Sequence, residues 1–298
     1  MIRLGTRGSA LALAQARLVA GLLEGEVELV PITTSGDRGP GSAPGGDKAR
    51  FVKEIEEALL RGDVDLAVHS AKDVPSELQE GLSIVGVPER ADPRDALCGA
   101  AALDDLAAGA VVGTGSLRRQ AQVLAVRPDL EVRSVRGNVD TRLQKLGKGG
   151  VDALVLACAG LERLGRASEG TPLDASSFVP APGQGCLALE ARSDDPATTE
   201  HAASVTDRDA LVCLTAERAL VQALDASCNT PLGAHAILDD GMFTLQAFVG
   251  LPDGSAWLRD SLEGDAGAPA DLGAAVAGRM LSAGAGDLLG QAEAAAAG

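Results

Sequence analysis

The chain has 298 residues, a formal net charge of −16, 46% apolar residues and 23% charged residues. This balance is typical of a globular protein and excludes a disordered one, and the length predicts two or three domains. The acidic charge argues against nucleic acid or an anionic membrane as a partner, because both require a basic surface. No apolar run approaches the roughly 18 residues that a membrane span needs.

The N-terminal segment weakly resembles an export signal, since Arg3 and Arg7 precede an apolar run. That run covers only residues 10–14, and Gln15 and Arg17 interrupt it. An export signal needs a longer apolar region, so we expect a cytoplasmic protein.

A helix is predicted from residue 10 onwards. Ser9 can cap its first turn, and Leu11, Leu18 and Leu22 recur at helical spacing. We expect these leucines to mark the apolar face of the helix.

Two apolar runs, residues 64–68 and 151–156, are typical of buried parallel strands. Helical patterns precede both runs; their apolar positions are Phe51, Ile55, Ala58 and Leu59 before the first, and Val139, Leu143 and Leu146 before the second. Alternation of this kind predicts open, doubly wound α/β sheets.

A faint internal repeat supports two related α/β domains facing each other over a cleft. Residues 5–9 (GTRGS) open one predicted helix, and residues 113–120 (GTGSLRRQ) open another.

Proline-rich segments at 90–95 and 180–185 mark crossovers between the two α/β domains. We therefore predict one domain from residues 1–90 with 187–206, a second from 91–186, and a smaller α+β domain from 207–298. In the third we expect a helix near 211–224, strands near 243–250 and an alanine-rich terminal helix.

The cysteines and histidines do not predict a metal site. The three histidines lie far apart, and none of the five cysteines forms a CxxC pair. Four cysteines lie in apolar contexts and are expected in the core: Cys98, Cys158, Cys186 and Cys213. Cys228 alone is followed by turn residues that would expose it, although a lone cysteine is more often a small buried hydrophobe.

Arginines cluster where the predicted strands end. Arg118 and Arg119 follow a Gly-Thr-Gly-Ser turn at a helix start, where backbone N–H groups favour anions. Arg136 is expected to end a strand over 132–136, and Arg142 lies on the next helix. With Arg7 these guanidinium groups could grip carboxylates in one cleft. The alternative is a set of surface arginines.

The sequence does not predict a nucleotide site. The Gly-Thr-Gly-Ser turn lacks the third glycine of a dinucleotide fingerprint, and no Gly-Lys-Ser/Thr sequence supplies a P-loop.

Lys72 and Asp73 follow the strand predicted over 64–68. An aspartate beside a cation at a strand end is suited to stabilising positive charge or to transferring a proton. The alternative is an aspartate that only caps a turn before Val-Pro. We expect His69 to be structural.

One further segment and one compositional bias remain open. Residues 36–47 (GDRGPGSAPGGD) predict a mobile loop, which is either a lid or a solvated insertion. Only five of the 26 basic residues are lysines. Such an acidic, lysine-poor chain predicts adaptation to high salt, with nucleotide bias of the genome as the alternative.

Taken together, these segments resemble the porphobilinogen deaminase (hydroxymethylbilane synthase) family over most of the chain. The resemblance is carried, in the family's order, by GTRGSALALAQA from Gly5, GDVDLAVHSAKDVP from Gly62, ADPRDAL from Ala91, GTGSLRRQAQ from Gly113, RGNVDTRLQKL from Arg136, ACAGLERLG from Ala157, PAPGQG from Pro180, TAERAL from Thr215 and the Cys228 loop.

The resemblance implies two α/β domains of the periplasmic-binding-protein type and a third domain with a cofactor-bearing cysteine. Cys228 matches that cysteine, which holds a dipyrromethane through a thioether. The family condenses four porphobilinogen molecules into hydroxymethylbilane and releases ammonia at each step. This implies a cytoplasmic transferase of haem and porphyrin biosynthesis, and we expect a monomer.

The family pattern also implies roles for individual residues. Asp73 matches the catalytic aspartate. The cofactor-binding residues are implied to be Lys72, Thr114, Ser116, Arg118, Arg119 and Cys228. The substrate-binding residues are implied to be Arg7, Ser9, Arg136, Arg142 and Arg163.

The sequence departs from the family in two places. Residues 47–51 (DKARF) replace a glycine-rich stretch, and a lysine expected slightly earlier is missing, which puts the loop contacts in doubt. Ala226 and Ser227 replace the Gly-Gly that commonly precedes the attachment cysteine.

Two binding proteins are the rival interpretations: a non-catalytic anion-binding protein of periplasmic-binding type, and a cytoplasmic regulator that senses a dicarboxylate. Neither needs the third domain, Cys228 or the Lys72–Asp73 pair. Neither a metal nor a nucleotide is implied.

Overall fold

The computed structural model describes residues 1–34, 52–226 and 230–297. The predicted 36–47 loop, Phe51 and Cys228 lie outside the described residues.

The described residues form strands and helices in alternation through the first two thirds of the chain. The strands are β1 Ile2–Arg7, β2 Val27–Ile32, β3 Leu66–Ser70, β4 Leu82–Gly86, β5 Asp95–Cys98, β6 Val111–Gly113, β7 Glu131–Arg133, β8 Ala153–Ala157, β9 Thr171–Pro172, β10 Leu187–Arg192, β11 Leu232–Asp239, β12 Met242–Gly250 and β13 Trp257–Gly264. The helices are α1 Ala10–Leu22, α2 Lys53–Arg61, α3 Leu117–Val126, α4 Val139–Gly147, α5 Cys158–Arg163, α6 Pro196–Ala203, α7 Arg208–Ala223, α8 Pro269–Ser282 and α9 Ala285–Ala297.

Two five-stranded sheets share one topology. Their strand orders are β2-β1-β3-β10-β4 and β7-β6-β8-β5-β9. The first three strands of each sheet are parallel, whereas β10 and β5 run antiparallel to both neighbours. The two apolar runs predicted as buried parallel strands correspond to β3 and β8, which run parallel to β1 and β6. The antiparallel β10 and β5 are each the first strand after a crossover from the other unit.

Helices cover both faces of each sheet, as doubly wound sheets require. In β3, Leu66 and Val68 pack with residues of α1, while Ala67 between them packs against α2 on the opposite face. In β8, Leu154 packs with α4 and α5, whereas Val155 packs with α3. The predicted α/β class is confirmed.

The two crossovers lie side by side. The Ala91 N–H donates to the Gly185 carbonyl at 3.4 Å. Gly185 has a φ of +90°, and a Cβ at this position would overlap the Ala91 carbonyl oxygen. Glycine is thus required where the second crossover packs against the first.

The C-terminal unit is α+β, as predicted. Its antiparallel sheet has the order β11-β12-β13, and α7 and α8 share a core with one face of it. On the other face, Phe248 packs with Ala121 of α3 and with Val179. This unit therefore contacts the second sheet unit directly.

Two local predictions were wrong. Ser9 does cap α1, but Leu18 and Leu22 are 45% and 49% exposed. The buried face consists of the smaller Ala12, Ala16 and Val19, since small residues allow the helix to approach the sheet closely. Similarly, β7 ends at Arg133, so Arg136 lies in the following turn rather than at the strand end.

The predicted apolar face of α2 is confirmed for Ile55, Ala58 and Leu59, which are buried. The four cysteines expected in the core, and His69, are also buried: Cys98, Cys158, Cys186 and Cys213. In the part of the chain that is described, no helix has the length and apolar character that crossing a membrane requires.

Candidate functional site

The turn after β3 carries Lys72 and Asp73. The strand runs into a 3₁₀ turn, Ala71–Asp73, whose first N–H donates to the Cys186 carbonyl at 3.1 Å. Lys72 Nζ donates to Gln184 Oε1 at 3.2 Å, and the Asp73 side chain is half-buried. The pair therefore lies at a strand end, against the crossover that leads into β10.

Arg118 and Arg119 lie in the first turn of α3 and share one carboxylate. They are only 3% and 6% exposed, and Asp95 between them is fully buried. Arg118 Nη1 donates to Asp95 Oδ2 at 2.7 Å, and Arg119 Nε donates to Asp95 Oδ1 at 2.9 Å. Two guanidinium groups thus face one carboxylate, which leaves a net positive charge in the cluster.

The charges of this cluster fix the ionisation of Asp95. Burial favours its neutral form, but the two neighbouring guanidinium groups outweigh burial and hold the pKa of Asp95 well below its usual range. Burial also lowers the pKa of Arg118, which still remains charged, as arginine does in proteins.

Gln184 connects the Lys72 turn to this cluster. Its Nε2 donates to the Pro93 carbonyl at 2.7 Å and to Asp95 Oδ1 at 3.0 Å. Its Oε1 accepts from Lys72 Nζ and, at 3.5 Å, from Arg119 Nη2. One amide of the second crossover therefore links the two sheet units.

A cavity lies between these groups and the C-terminal unit. Lys72, Ser116, Arg118 and Arg218 line it together with apolar side chains, which are Ala71, Val74, Ala181, Pro182, Val221 and Leu232. Ala226 and Thr230, the described neighbours of residues 227–229, line it as well. The cavity thus opens next to the position of Cys228 in the chain.

The chemistry of the cavity suits an acidic, ring-bearing group. Its cations and hydroxyl can bind carboxylates, and its apolar walls can pack against planar rings. The buried Nε of Arg118 makes no hydrogen bond to any described residue.

Three hydroxyl groups stand at the starts of α1 and α3. Ser9 Oγ accepts from the Ala12 N–H at 3.3 Å, and Ser116 Oγ accepts from the Arg119 N–H at 3.5 Å. Thr114 Oγ1 accepts from the Ser116 N–H at 3.2 Å. Because each oxygen accepts, its own proton can be donated to a carboxylate, and the helix N-terminus adds to the attraction.

Arg142 faces the same region from α4. Its Nε donates to the Gly137 carbonyl at 2.8 Å. Burial and the charge of Arg119 lower the pKa of Arg142 to about 10, while the charge of Asp73 opposes that change. Arg142, Arg119 and Asp73 are therefore close enough to interact electrostatically.

The remaining predicted arginines lie on other parts of the fold. Arg163 Nη2 donates to the Gly185 carbonyl at 2.6 Å, next to Gln184. Arg7 ends β1 and is half-buried, and Arg136 is exposed, with its carbonyl accepting from Lys145 Nζ at 3.3 Å.

Sequence reasoning missed Asp95, Gln184 and the buried Glu217. Glu217 of α7 accepts from Arg90 Nη1 at 2.7 Å and from the Gly183 N–H at 2.6 Å, and so ties the third unit to both crossovers. Each of the three lies inside a motif that carried the family resemblance. The only available signal was a polar residue within an apolar or glycine-rich stretch, which does not reveal its partner.

The described residues contain no group of histidine, cysteine and acidic side chains arranged to hold a metal ion.

Two family models match the chain. The model described as "Porphobilinogen deaminase, dipyromethane cofactor binding domain" matches residues 2–200. The model described as "Porphobilinogen deaminase, C-terminal domain" matches residues 211–282.

Individual proteins are similar over nearly their whole length. The porphobilinogen deaminase of Deinococcus radiodurans is 46% identical over 97% of this chain and 97% of its own length. That of Thermus thermophilus is 47% identical over 98% of this chain and 99% of its own.

Among solved structures, the methionine-binding protein MetQ has a TM-score of 0.42 at 16% identity, covering 68% of this chain and 89% of MetQ. We assign no function from this structural similarity.

Proposed function

Because this chain belongs to the porphobilinogen deaminase family, we propose that its cleft joins four porphobilinogen molecules head to tail. Each condensation releases one ammonia, and water finally frees hydroxymethylbilane while the cofactor stays attached. The chain is a transferase of tetrapyrrole biosynthesis that uses a dipyrromethane cofactor. The rival interpretation as a non-catalytic binding protein is not favoured, since both matching models describe this enzyme.

One observation carries the assignment of the site. Lys72 and Asp73 stand at a strand end, linked through Gln184 to the buried cluster of Asp95, Arg118 and Arg119. Asp73 also interacts electrostatically with Arg142, so a negative charge stands where a developing cation would be stabilised.

The arginines are proposed to bind the acetate and propionate groups of the substrate. Arg118 and Arg119 outnumber the single carboxylate of Asp95, so the excess positive charge is available to an anionic ligand. Cofactor binding is assigned to Lys72, Thr114, Ser116, Arg118 and Arg119. Substrate binding is assigned to Arg7, Ser9, Arg136, Arg142 and Arg163.

Asp73 is proposed as the catalytic residue. The aminomethyl group of the substrate is protonated at neutral pH, so the C–N electron pair leaves with nitrogen as neutral ammonia and the methylene carbon becomes positively charged. The Asp73 carboxylate stabilises that charge, and it accepts the proton released when the new carbon–carbon bond forms.

Cys228 is proposed to hold the cofactor through a thioether. When bound, the dipyrromethane supplies the pyrrole carbon to which the first substrate is joined. The cavity supports this role, because it is lined by Lys72, Ser116 and Arg118 and also by Ala226 and Thr230.

We propose domain boundaries that follow the sheets. The first domain comprises residues 1–90 with 187–206, the second 91–186 and the third 207–298. This division is supported by the three sheets, since each keeps all its strands within one of these segments.

We also propose that the protein works as a monomer in the cytoplasm and at high salt. The net charge of −16 with only five lysines supports the salt adaptation. A thermal midpoint that does not rise with sodium chloride would contradict it.

The Asp73→Asn variant tests the assignment of the active site. We expect kcat to fall by at least about 100-fold, because the amide can neither stabilise the cation nor accept the proton. The fold and the covalent cofactor should be retained. Asp63→Asn, on the exposed side chain that pairs with Arg61, is the matched control and should leave kcat unchanged. Wild-type turnover by Asp73→Asn would contradict the assignment.

A further inference from the structure

Helix α7 contacts the turn that carries Asp73. Arg218 Nη2 donates to the Pro75 carbonyl at 2.8 Å and to the Ser76 carbonyl at 2.9 Å. Gln222, one helical turn further along, donates from Nε2 to the same Ser76 carbonyl at 2.9 Å. The C-terminal unit therefore binds the backbone two and three residues after Asp73.

This segment is irregular, and its buried Val74 packs with Ala71 and Val87. No side chain caps the 3₁₀ turn at Ser70, and residues 74–79 form no helix or strand. The Val74 N–H closes the turn on the Ala71 carbonyl at 3.2 Å. Together with that bond and the Gln222 contact, Arg218 Nη2 holds the chain where it leaves Asp73, because this one nitrogen donates to two successive carbonyls.

Arg218 is also part of the wall of the proposed active site. Its side chain lines the cavity together with Lys72, Ser116 and Arg118. The same helix ends at Ala223, three residues before Ala226, which lines that cavity too. A single helix thus connects the Asp73 turn to the edge of the cofactor cavity.

We propose that Arg218 is a positioning residue for Asp73, a role that rests on the proposed function of Asp73. The Nη2 group of Arg218 holds residues 75 and 76 against α7 and thereby fixes the carboxylate of Asp73 relative to the cavity. Misplacing a reacting group by about 1 Å can reduce a rate by about 100-fold, so two hydrogen bonds to the backbone after Asp73 are sufficient to matter.

The test compares Arg218→Ala, Arg218→Lys and Asp73→Asn in the holoenzyme. Rates are normalised to the covalent cofactor per chain, measured by intact mass, and are taken well below each variant's thermal midpoint. We expect Arg218→Ala to keep its cofactor and a KM within about 2-fold of the parent, while kcat falls by about 10- to 100-fold. Arg218→Lys retains a charged donor whose nitrogen reaches less far than Nη2, so its kcat should lie between those of the parent and the alanine variant.

Arg208→Ala is the matched control, because it removes an exposed guanidinium from the first position of the same helix. It should leave kcat unchanged. Wild-type kcat in Arg218→Ala would overturn the proposal, and so would a raised KM or a lost cofactor, which would make Arg218 a ligand-binding residue. If Asp73→Asn remains active, the proposed function of Asp73 fails; if Asp73→Asn is inactive and Arg218→Ala is fully active, only the positioning role fails.

Discussion

At the scale of single residues, the pairing of Asp95 with two arginines is the strongest feature of the site. All three side chains are almost completely buried. Buried charges are tolerated only when each has its partners, and removing one partner leaves the others uncompensated. The cluster is therefore important both for stability and for the positive charge proposed to bind carboxylates.

Asp95→Asn should destabilise the protein by about 3 to 5 kcal/mol, because two buried guanidinium groups would face a neutral amide. Urea denaturation measures the change in the free energy of unfolding. Asp92→Asn, on the aspartate that pairs with Arg94 near the surface, is the control and should cost less than about 1 kcal/mol. A free energy of unfolding for Asp95→Asn within about 1 kcal/mol of the parent value would refute this account of the cluster.

At the scale of elements, many helices and strands could be predicted from the sequence, but the pairing of the strands could not. The spacing of apolar residues correctly predicted α2, α4 and the βα alternation, because that spacing depends on local structure. The antiparallel insertion of β5 and β10 depends on contacts far apart in sequence, which no local pattern records. The exposure of Leu18 and Leu22 has the same origin, since tertiary packing selected the small residues of α1.

The same reasoning applies to the site. The arginines and the Lys72–Asp73 pair could be predicted as candidates, since their positions at strand and helix ends are local features. Their partners could not, because Asp95 is 23 residues from Arg118 and Gln184 is 112 residues from Lys72. The two crossovers bring these groups together.

The contact of α2 with the first sheet contains a buried acidic pair. Glu56 of α2 faces Glu190 of β10 and His69 of β3, and His69 Nε2 lies 3.0 Å from Glu190 Oε2. Burial, reinforced by the charge of Glu190, raises the pKa of Glu56 to about 7, and His69 only partly opposes this. Folding therefore favours the protonated form of Glu56.

The raised pKa predicts a loss of stability with increasing pH. The contribution of Glu56 is fully present below its unfolded pKa of 4.5 and is lost as the pH rises through about 7. Between those values the parent should lose about 2 to 3 kcal/mol from this group. In Glu56→Gln that part of the slope should disappear, whereas Glu57→Gln, at an exposed position of the same helix, should keep it. Urea denaturation at pH 5 and pH 8 measures the difference, and an unchanged slope in Glu56→Gln would disprove the assignment.

At the scale of the whole molecule, the overall charge and the proposed site have opposite signs. The chain carries −16, yet its proposed ligands bring several carboxylates into one cleft. The buried cluster resolves this conflict locally, because two guanidinium groups there share one carboxylate. Screening by salt would reduce the remaining long-range repulsion, consistent with the proposed adaptation to high salt.

The central claim is that Cys228 carries a covalent dipyrromethane. Intact mass spectrometry of the purified protein beside its Cys228→Ala variant tests it most directly. We predict an excess mass of two linked pyrrole units in the parent and none in the variant. A parent that shows no excess, even after incubation with porphobilinogen, or a variant that retains the excess, would contradict the claim.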